Sequence, residues 1–287
     1  MPIELEKLRS LFAKPDRMNG SRFMRQEVAL RMHERLSLIK IDPHRILAAG
    51  CGDTDNAVEL ESGFPDSHLI GFDISLPVLA EMKRKNRESG LMNGYVCGNF
   101  AGLPLVSDSF DMVWSNLALQ GYSHVRDIFR EWSRVLKPNG LLMFSTFGIG
   151  TFAELKKSFS AVDRYSHVHS FASMIDLGDW LIETGFVEPV LERERIDVTY
   201  KDVEKMLADV RAFGGNAMSD RPRGLFGKKA YKKLLDLLEE NRDEKGNLSL
   251  GFEIIVAHAF KRDGSLPVGE KVIRFYEGGY PESQKGA

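Results

Sequence analysis

The stretch His44-Arg45-Ile46-Leu47-Ala48-Ala49-Gly50-Cys51-Gly52-Asp53-Thr54 decides how this chain is read. A short apolar run, Ile46 to Ala49, meets a Gly-x-Gly turn at Gly50 and Gly52. A second apolar run, His68-Leu69-Ile70-Gly71-Phe72-Asp73, ends in an acid. The order spells a buried strand, a tight turn, a helix, and a second strand closed by a carboxylate. Glycines let backbone come close to a ligand, and an acid at the next strand end can accept both hydroxyls of a ribose. Asp73 falls near the spacing, about 20 residues on, at which such an acid is expected. The arrangement serves an adenosine-containing cofactor and does not by itself say which. A dinucleotide site would place a third glycine at 55, which is Asp55.

Working outward, strand patterns recur at 45–49, 68–73, 94–97, 110–115 and 140–146. Helical patterns lie between them at 55–62, 76–88 and 124–136. This alternation predicts an α/β fold, a parallel sheet with helices on both faces. Residues 3–40 read as helical, interrupted around Pro15 and Gly20, with Val28, Leu30, Met32, Leu36 and Ile39 on an apolar face of the second piece. Lys137-Pro138-Asn139-Gly140 reads as a turn into a strand. Beyond 146 the alternation loosens. Helices are expected at 151–160, 173–184, 202–213 and 227–241, and strands at about 186–196 and 250–260. Residues 197–249 then form a long excursion between the last two strands, and long excursions are usually functional. The expected division is a helical lid at 1–43, a cofactor-binding domain at 44–262 that includes the excursion, and a tail at 263–287.

The 287 residues are 43% hydrophobic and 28% charged, with a formal net charge of −2. That balance gives no global attraction to nucleic acid or to a membrane surface. No run reaches the roughly 18 apolar residues of a membrane span. The start, Met-Pro-Ile-Glu-Leu-Glu-Lys, has no apolar signal core. Two cysteines, Cys51 and Cys97, form no metal-ligand cluster, so a reducing cytoplasm is expected.

Five blocks in order carry a resemblance: Ala49-Gly50-Cys51-Gly52, Gly71-Phe72-Asp73-Ile74-Ser75, Gly98-Asn99-Phe100-Ala101-Gly102-Leu103-Pro104, Ser109 to Asn116, and Arg134-Val135-Leu136-Lys137-Pro138-Asn139-Gly140. Together they resemble class I methyltransferases dependent on S-adenosyl-L-methionine (SAM). The resemblance implies a Rossmann-like, doubly wound, seven-stranded sheet. It also implies SAM as cofactor, S-adenosylhomocysteine as product, and contacts from Gly50, Cys51, Gly52, Asp73, Ile74, Asn99, Phe100, Ser115 and Asn116. A narrower resemblance rests on Ser115-Asn116-Leu117-Ala118-Leu119-Gln120, Thr151 to Leu155, His167-Val168-His169-Ser170-Phe171 and the closing Phe252–Phe260 segment. These look like the BioC-type malonyl-acyl-carrier-protein O-methyltransferases of biotin synthesis. The His-Val-x-x-Phe block and Asp176-Leu177-Gly178 also resemble the mitochondrial complex I assembly factor family, associated with arginine hydroxylation. A protein-modifying or assembly role therefore stands as an alternative.

Four positions depart from the family pattern: Ala48 and Asn99 replace acids, Thr54 replaces the third glycine, and Gly121 replaces a tryptophan. The resemblance gives the acid at 48 to the amino-acid end of SAM and the acid at 99 to its adenine. Asn99 can still accept through its carbonyl oxygen. Ala48 cannot, and one charge-assisted contact is worth about 1.5–3 kcal/mol. A non-catalytic, metabolite-binding relative is a further reading of these departures.

Ester formation on a carboxylate needs no general base, because the acceptor is already ionised at neutral pH. The site then has to position two reactants and exclude water. Arg22 and Arg25 are candidates to hold the acceptor carboxylate, with Tyr122, His167 and His169 as donors near the chemistry. A solvated helix face for the arginines, and loop packing for the histidines, are the plainer alternatives. Phe147, Phe152 and Phe159 suit either a thioester channel or ordinary core. Arg221, Arg223, Lys228, Lys229, Lys232 and Lys233 make a basic run that would steer an acidic acyl-carrier protein. A solvated helix balanced by Asp236, Glu239 and Glu240 explains the same run without a partner.

Overall fold

The computed structural model describes residues 5–13, 20–52, 55–86, 92–213 and 227–264. Thr54, Arg221, Arg223 and residues 265–287 of the expected tail lie outside them. Helices α1 (Leu5–Phe12) and α2 (Arg22–Leu36) precede a β/α alternation. It runs β1 (Arg45–Ala49), α3 (Asp55–Gly63), β2 (His68–Asp73), α4 (Leu76–Lys85), β3 (Gly94–Cys97), β4 (Phe110–Ser115), α5 (Val125–Val135) and β5 (Leu136–Phe147). Then follow α6 (Ala153–Ser160), α7 (Met174–Glu183), β6 (Phe186–Tyr200), α8 (Val203–Ala212), α9 (Lys228–Glu239) and β7 (Leu248–Lys261).

The sheet has seven strands in the order β3-β2-β1-β4-β5-β7-β6. Strands β1 to β5 pair in parallel, and β7 is antiparallel to both β5 and β6. The chain winds from β1 out to β3, then returns to place β4 on the other side of β1. Ligands bind at such a reversal, outside the carboxyl ends of the strands. Here that point lies between β1 and β4.

Burial on both faces explains the apolar strands. Ile46, Ala48, Met112, Trp114 and Met143 face one core, while Leu47, Ala49, Val113, Leu142 and Phe144 face the other. Alternate residues of each strand serve opposite layers. The first layer takes α2 through Met24, Val28, Met32 and Leu36, α8 through Met206 and Leu207, and α9 through Leu234 and Leu238. The second takes α5 through Ile128, Phe129 and Trp132, and α7 through Leu177 and Leu181. The N-terminal helix and the late excursion thus share one face of the sheet. Arg31 and Arg35 of α2 also reach Glu192 and Glu194 on the edge strand β6.

Two local expectations change, and one open alternative closes in favour of core. Lys137–Gly140 is a bulge inside β5 rather than a turn before it. Phe110 pairs with Leu136, the register then jumps to Met112 with Leu141, and Asn139 takes φ +61°. A side chain at Gly140 would meet the Lys137 carbonyl at 2.8 Å, so the bulge closes tightly there. Strand β6 runs to Tyr200 because its inward alternation continues through Ile196 and Val198. The excursion therefore spans 201–247, with 197–200 and 248–249 belonging to the sheet. Phe147 and Phe152 are core, 1% and 4% exposed, packed with Phe171, Phe213 and Phe252 in place of an open channel. Phe159 stacks on His167 instead.

Candidate active site

The cleft opens at the carboxyl ends of β1, β2 and β4 and spans about 710 Å³, open solvent at its mouth included. Its floor is the glycine turn. Gly50 and Gly52 hold φ of +74° and +46°, which favour glycine. Crowding adds to conformation at Gly50, where a Cβ would lie 2.3 Å from that of Ala118. The Gly50 and Cys51 N–H groups donate to the Phe72 carbonyl at 2.8 and 3.1 Å, pinning the turn to β2.

Asp73 stands beside this turn at the end of β2. One carboxylate oxygen accepts from the Ser75 N–H at 2.8 Å, the other from the Gly52 N–H at 3.3 Å. Burial pushes its carboxyl up to about 6, and the backbone donors only partly oppose this. A buried carboxylate with lone pairs left over suits a pair of hydroxyl donors. Ser75 then caps α4 and donates its hydroxyl to the Phe12 carbonyl at 2.9 Å. Leu11 and Phe12 of the α1 segment pack on Ile74, so this helix lies over the floor.

One wall is aromatic. Phe100 is 2% exposed, with ring centroids 5.5 Å from Phe72, 5.1 Å from Tyr122 and 5.7 Å from Trp132. Tyr122 lines the cleft, and burial, then the charge on Asp73, pushes its phenol pKa up. It therefore stays protonated and able to donate. Asn99 sits beside Phe100 but outside the wall, its Oδ1 accepting from the Ala101 N–H at 3.2 Å.

The roof comes from far along the chain. Arg25 of α2 is buried and lines the cleft. Its guanidinium donates to the Ser21 hydroxyl, which donates onward to the Ala212 carbonyl at 3.1 Å. Ala212 and Phe213, at the end of α8, line the cleft beside Phe12. Asn116 ties this roof to the sheet. Its Nδ2 donates to the Arg25 carbonyl and its Oδ1 accepts from Ser145 of β5, both at 2.8 Å.

The structure thus gathers Gly50, Cys51, Gly52, Asp73, Ile74, Phe100, Asn116, Tyr122 and Arg25 around one space. Other candidates fall elsewhere. Arg22 sits three positions before Arg25 and is exposed. Ser115 is buried in β4 and does not line the cleft. His167 is held to the end of α6 by Asp163, 2.9 Å from its Nε2, and by the stacked Phe159 ring. Neither it nor half-buried His169 lines the cleft. Phe12, Leu117, Ala118, Gln120, Gly121, Ala212 and Phe213 complete the lining and were not singled out as site residues from the sequence. Leu117, Ala118 and Gln120 belong to the Ser115–Gln120 run, so that motif held their signal. Ala212 and Phe213 carry no local signal.

Sheet order, glycine turn and strand-end carboxylate define a class I SAM-dependent methyltransferase, with SAM as methyl donor. Residues 47–144 match the family described as a methyltransferase domain. The chain belongs to the malonyl-acyl-carrier-protein O-methyltransferase family. It is 39% identical to the malonyl-[acyl-carrier protein] O-methyltransferase of Gallionella capsiferriformans, covering 92% of this chain and 95% of that protein. Identity to the protein of that name from Laribacter hongkongensis is 35%, over 88% and 89%. For malonyl-[acyl-carrier protein] O-methyltransferase 1 of Coxiella burnetii it is 36%, over 81% and 79%. Among solved structures, YcgJ from Bacillus subtilis shares the fold at 18% identity and a TM-score of 0.59, covering 81% of this chain and 98% of that one. Phosphoethanolamine N-methyltransferase 2 of Haemonchus contortus, solved with SAM, shares it at 20% identity and a TM-score of 0.54, over 83% and 53%. Among the described residues, no helix is long and apolar enough to cross a membrane.

Proposed function

We propose that this chain methylates the free carboxyl of a malonyl-type thioester carried on acyl-carrier protein, a step of biotin synthesis. The single observation that carries the reading is the pairing within one cleft of a buried carboxylate, Asp73, with a buried guanidinium, Arg25. The first suits the ribose hydroxyls of the donor and the second suits the carboxylate of the acceptor. When bound, SAM supplies a methyl group on a positively charged sulfur, open to in-line attack by a carboxylate oxygen. The chain's own task is to hold and to exclude. Gly50–Gly52 and Asp73 seat the adenosine half, with the adenine toward Phe100 and Asn99. Arg25 orients the carboxylate, and Tyr122 offers a hydroxyl donor. His167 and His169 are left at most a role beyond the cleft, in the loop that follows α6.

Residues 1–43 act as a lid in this reading, over a catalytic domain at 44–262. The basic run on the excursion receives the carrier protein, with Arg221 and Arg223 joining Lys228, Lys229, Lys232 and Lys233. The described lysines begin α9, and Lys228, Lys229 and Lys232 are exposed, while Lys233 also donates to the Ala161 carbonyl. The reaction belongs in the cytoplasm in this reading. The relatives named above favour carboxyl methylation over the complex I assembly reading and over a non-catalytic one. Mass spectrometry of malonyl-acyl-carrier protein after incubation with SAM tests the proposal. One methyl group on the malonyl moiety is expected. An unmodified malonyl group, with the methyl on a protein side chain, would refute it.

A further inference from the structure

Gln120 follows the end of β4 in a short 3-10 turn, Leu119–Gly121, and lines the cleft. Its amide nitrogen donates to the Leu117 carbonyl, which fixes which end of the amide is which. The other end, Oε1, is buried and accepts no hydrogen bond. Other buried side-chain nitrogens and oxygens among the described residues also lack a partner, such as Trp114 Nε1 and Trp132 Nε1. Of them all, only Gln120 Oε1 belongs to a residue of the cleft lining. An orphaned buried acceptor is costly, and one kept at a ligand site calls for a donor on the ligand.

The turn that holds it is also strained. Leu117 takes φ +45° while 5% exposed, and its N–H donates to Ser145 at 3.0 Å. Left-handed backbone at a buried leucine persists only where its surroundings hold it, and such residues cluster at functional sites. Ala118, next in the same turn, abuts Gly50. The turn therefore borders the glycine floor on the side facing β4.

Strand order says which part of the ligand comes there. Asp73 ends β2, and Phe100 follows β3, on one side of β1. Gln120 follows β4, on the other side. With the ribose at Asp73 and the adenine toward Phe100, the amino-acid tail of SAM crosses β1 toward β4. That tail ends in an ammonium, a strong donor, and in a carboxylate. Ala48 brings no acid to this end of the site. We infer that Gln120 Oε1 receives the α-ammonium of SAM and of S-adenosylhomocysteine, at an end of the site to which residue 48 contributes no charge. The inference rests on the cofactor orientation proposed above.

Calorimetric titration of the full chain tests it with two probes, S-adenosylhomocysteine and 5′-methylthioadenosine, which lacks the amino-acid tail. Gln120→Leu should weaken S-adenosylhomocysteine about tenfold, the size of a lost hydrogen bond to a charged group. The same variant should bind 5′-methylthioadenosine as the parent does, which also shows that it is folded. Gln120→Glu restores an acceptor and should bind S-adenosylhomocysteine at least as tightly as the parent. Equal loss on both probes, loss on neither, or a Glu variant as weak as the Leu variant would overturn the assignment. Asp73→Ala should weaken both probes alike. If it changes neither, the orientation itself is wrong, and that failure is distinct from one at Gln120.

Discussion

The floor and the roof of the cleft are built in opposite ways. The floor, Gly50–Gly52 with Asp73, comes from one strand-turn-helix-strand unit, and its hydrogen bonds span about twenty residues of chain. The roof joins Ser21 to Ala212 across 191 residues and Arg25 to Asn116 across 91. The floor is therefore set by local geometry and the roof by long-range packing. A change in the floor should act directly on the donor nucleotide. A change in the roof should act on the acceptor, and more gently, because several contacts share its load.

The largest effect should come from Gly50→Ala. The new Cβ combines a disfavoured backbone conformation with a 2.3 Å clash against Ala118. Left-handed strain of about 1–2 kcal/mol and overpacking of about 1–3 kcal/mol together predict a loss of SAM affinity of about thirtyfold to more than about a thousandfold. Adding Ala118→Gly should recover part of it. A fully active Gly50→Ala variant would break the account of the floor.

Next in size is Asp73. Asp73→Ala should cost about 1.5–3 kcal/mol of SAM binding, roughly ten- to a hundredfold. The parent should also show a pH dependence. Ribose hydroxyls donate to the ionised carboxylate, so affinity should fall as pH drops through about 6, and Asp73→Asn should flatten that fall. Stability runs the other way. The folded chain holds this proton more tightly than an unfolded one, whose value is near 3.8. The group's stabilising contribution is complete below that value and is lost as pH rises through about 6. Denaturant titrations of the parent and Asp73→Asn across this window would check the sign.

The contrast also explains what could be read beforehand. Gly50, Gly52 and Asp73 were legible because each is demanded by backbone shape or by a strand end, at spacings set within one unit. Arg25 was legible only as a cation on a helix, and Arg22 looked equivalent until the helix turned it outward. Ala212 and Phe213 could not be found, since a small residue and an aromatic at a helix end read as packing anywhere. Gln120 stood inside a quoted motif, but only its unpaired oxygen marks it, and pairing is a property of the folded chain. His167 shows the converse case. Its residue type suited chemistry, while the neighbouring Asp163 and Phe159 hold it elsewhere.

Smaller effects should follow changes to the roof. Ser21→Ala removes the hydroxyl that joins Arg25 to Ala212. At about 0.5–1.5 kcal/mol for one net hydrogen bond, the acceptor KM should rise two- to tenfold. A larger rise in the SAM Kd than in the acceptor KM would mean that the roof serves the donor. Reversing Lys228, Lys229, Lys232 and Lys233 to glutamate should act on carrier association alone. The apparent KM for a carrier-linked substrate should rise and become less sensitive to salt, with turnover of a small malonyl thioester unchanged. Equal loss on both substrates would contradict a docking role.

The division of labour between floor and roof is tested most directly by two variants measured side by side. Kd for S-adenosylhomocysteine and KM for malonyl-acyl-carrier protein are determined for Asp73→Ala and Arg25→Gln. The account predicts that Asp73→Ala raises Kd with little change in KM, and that Arg25→Gln raises KM with little change in Kd. Both variants moving both constants by the same factor would contradict it.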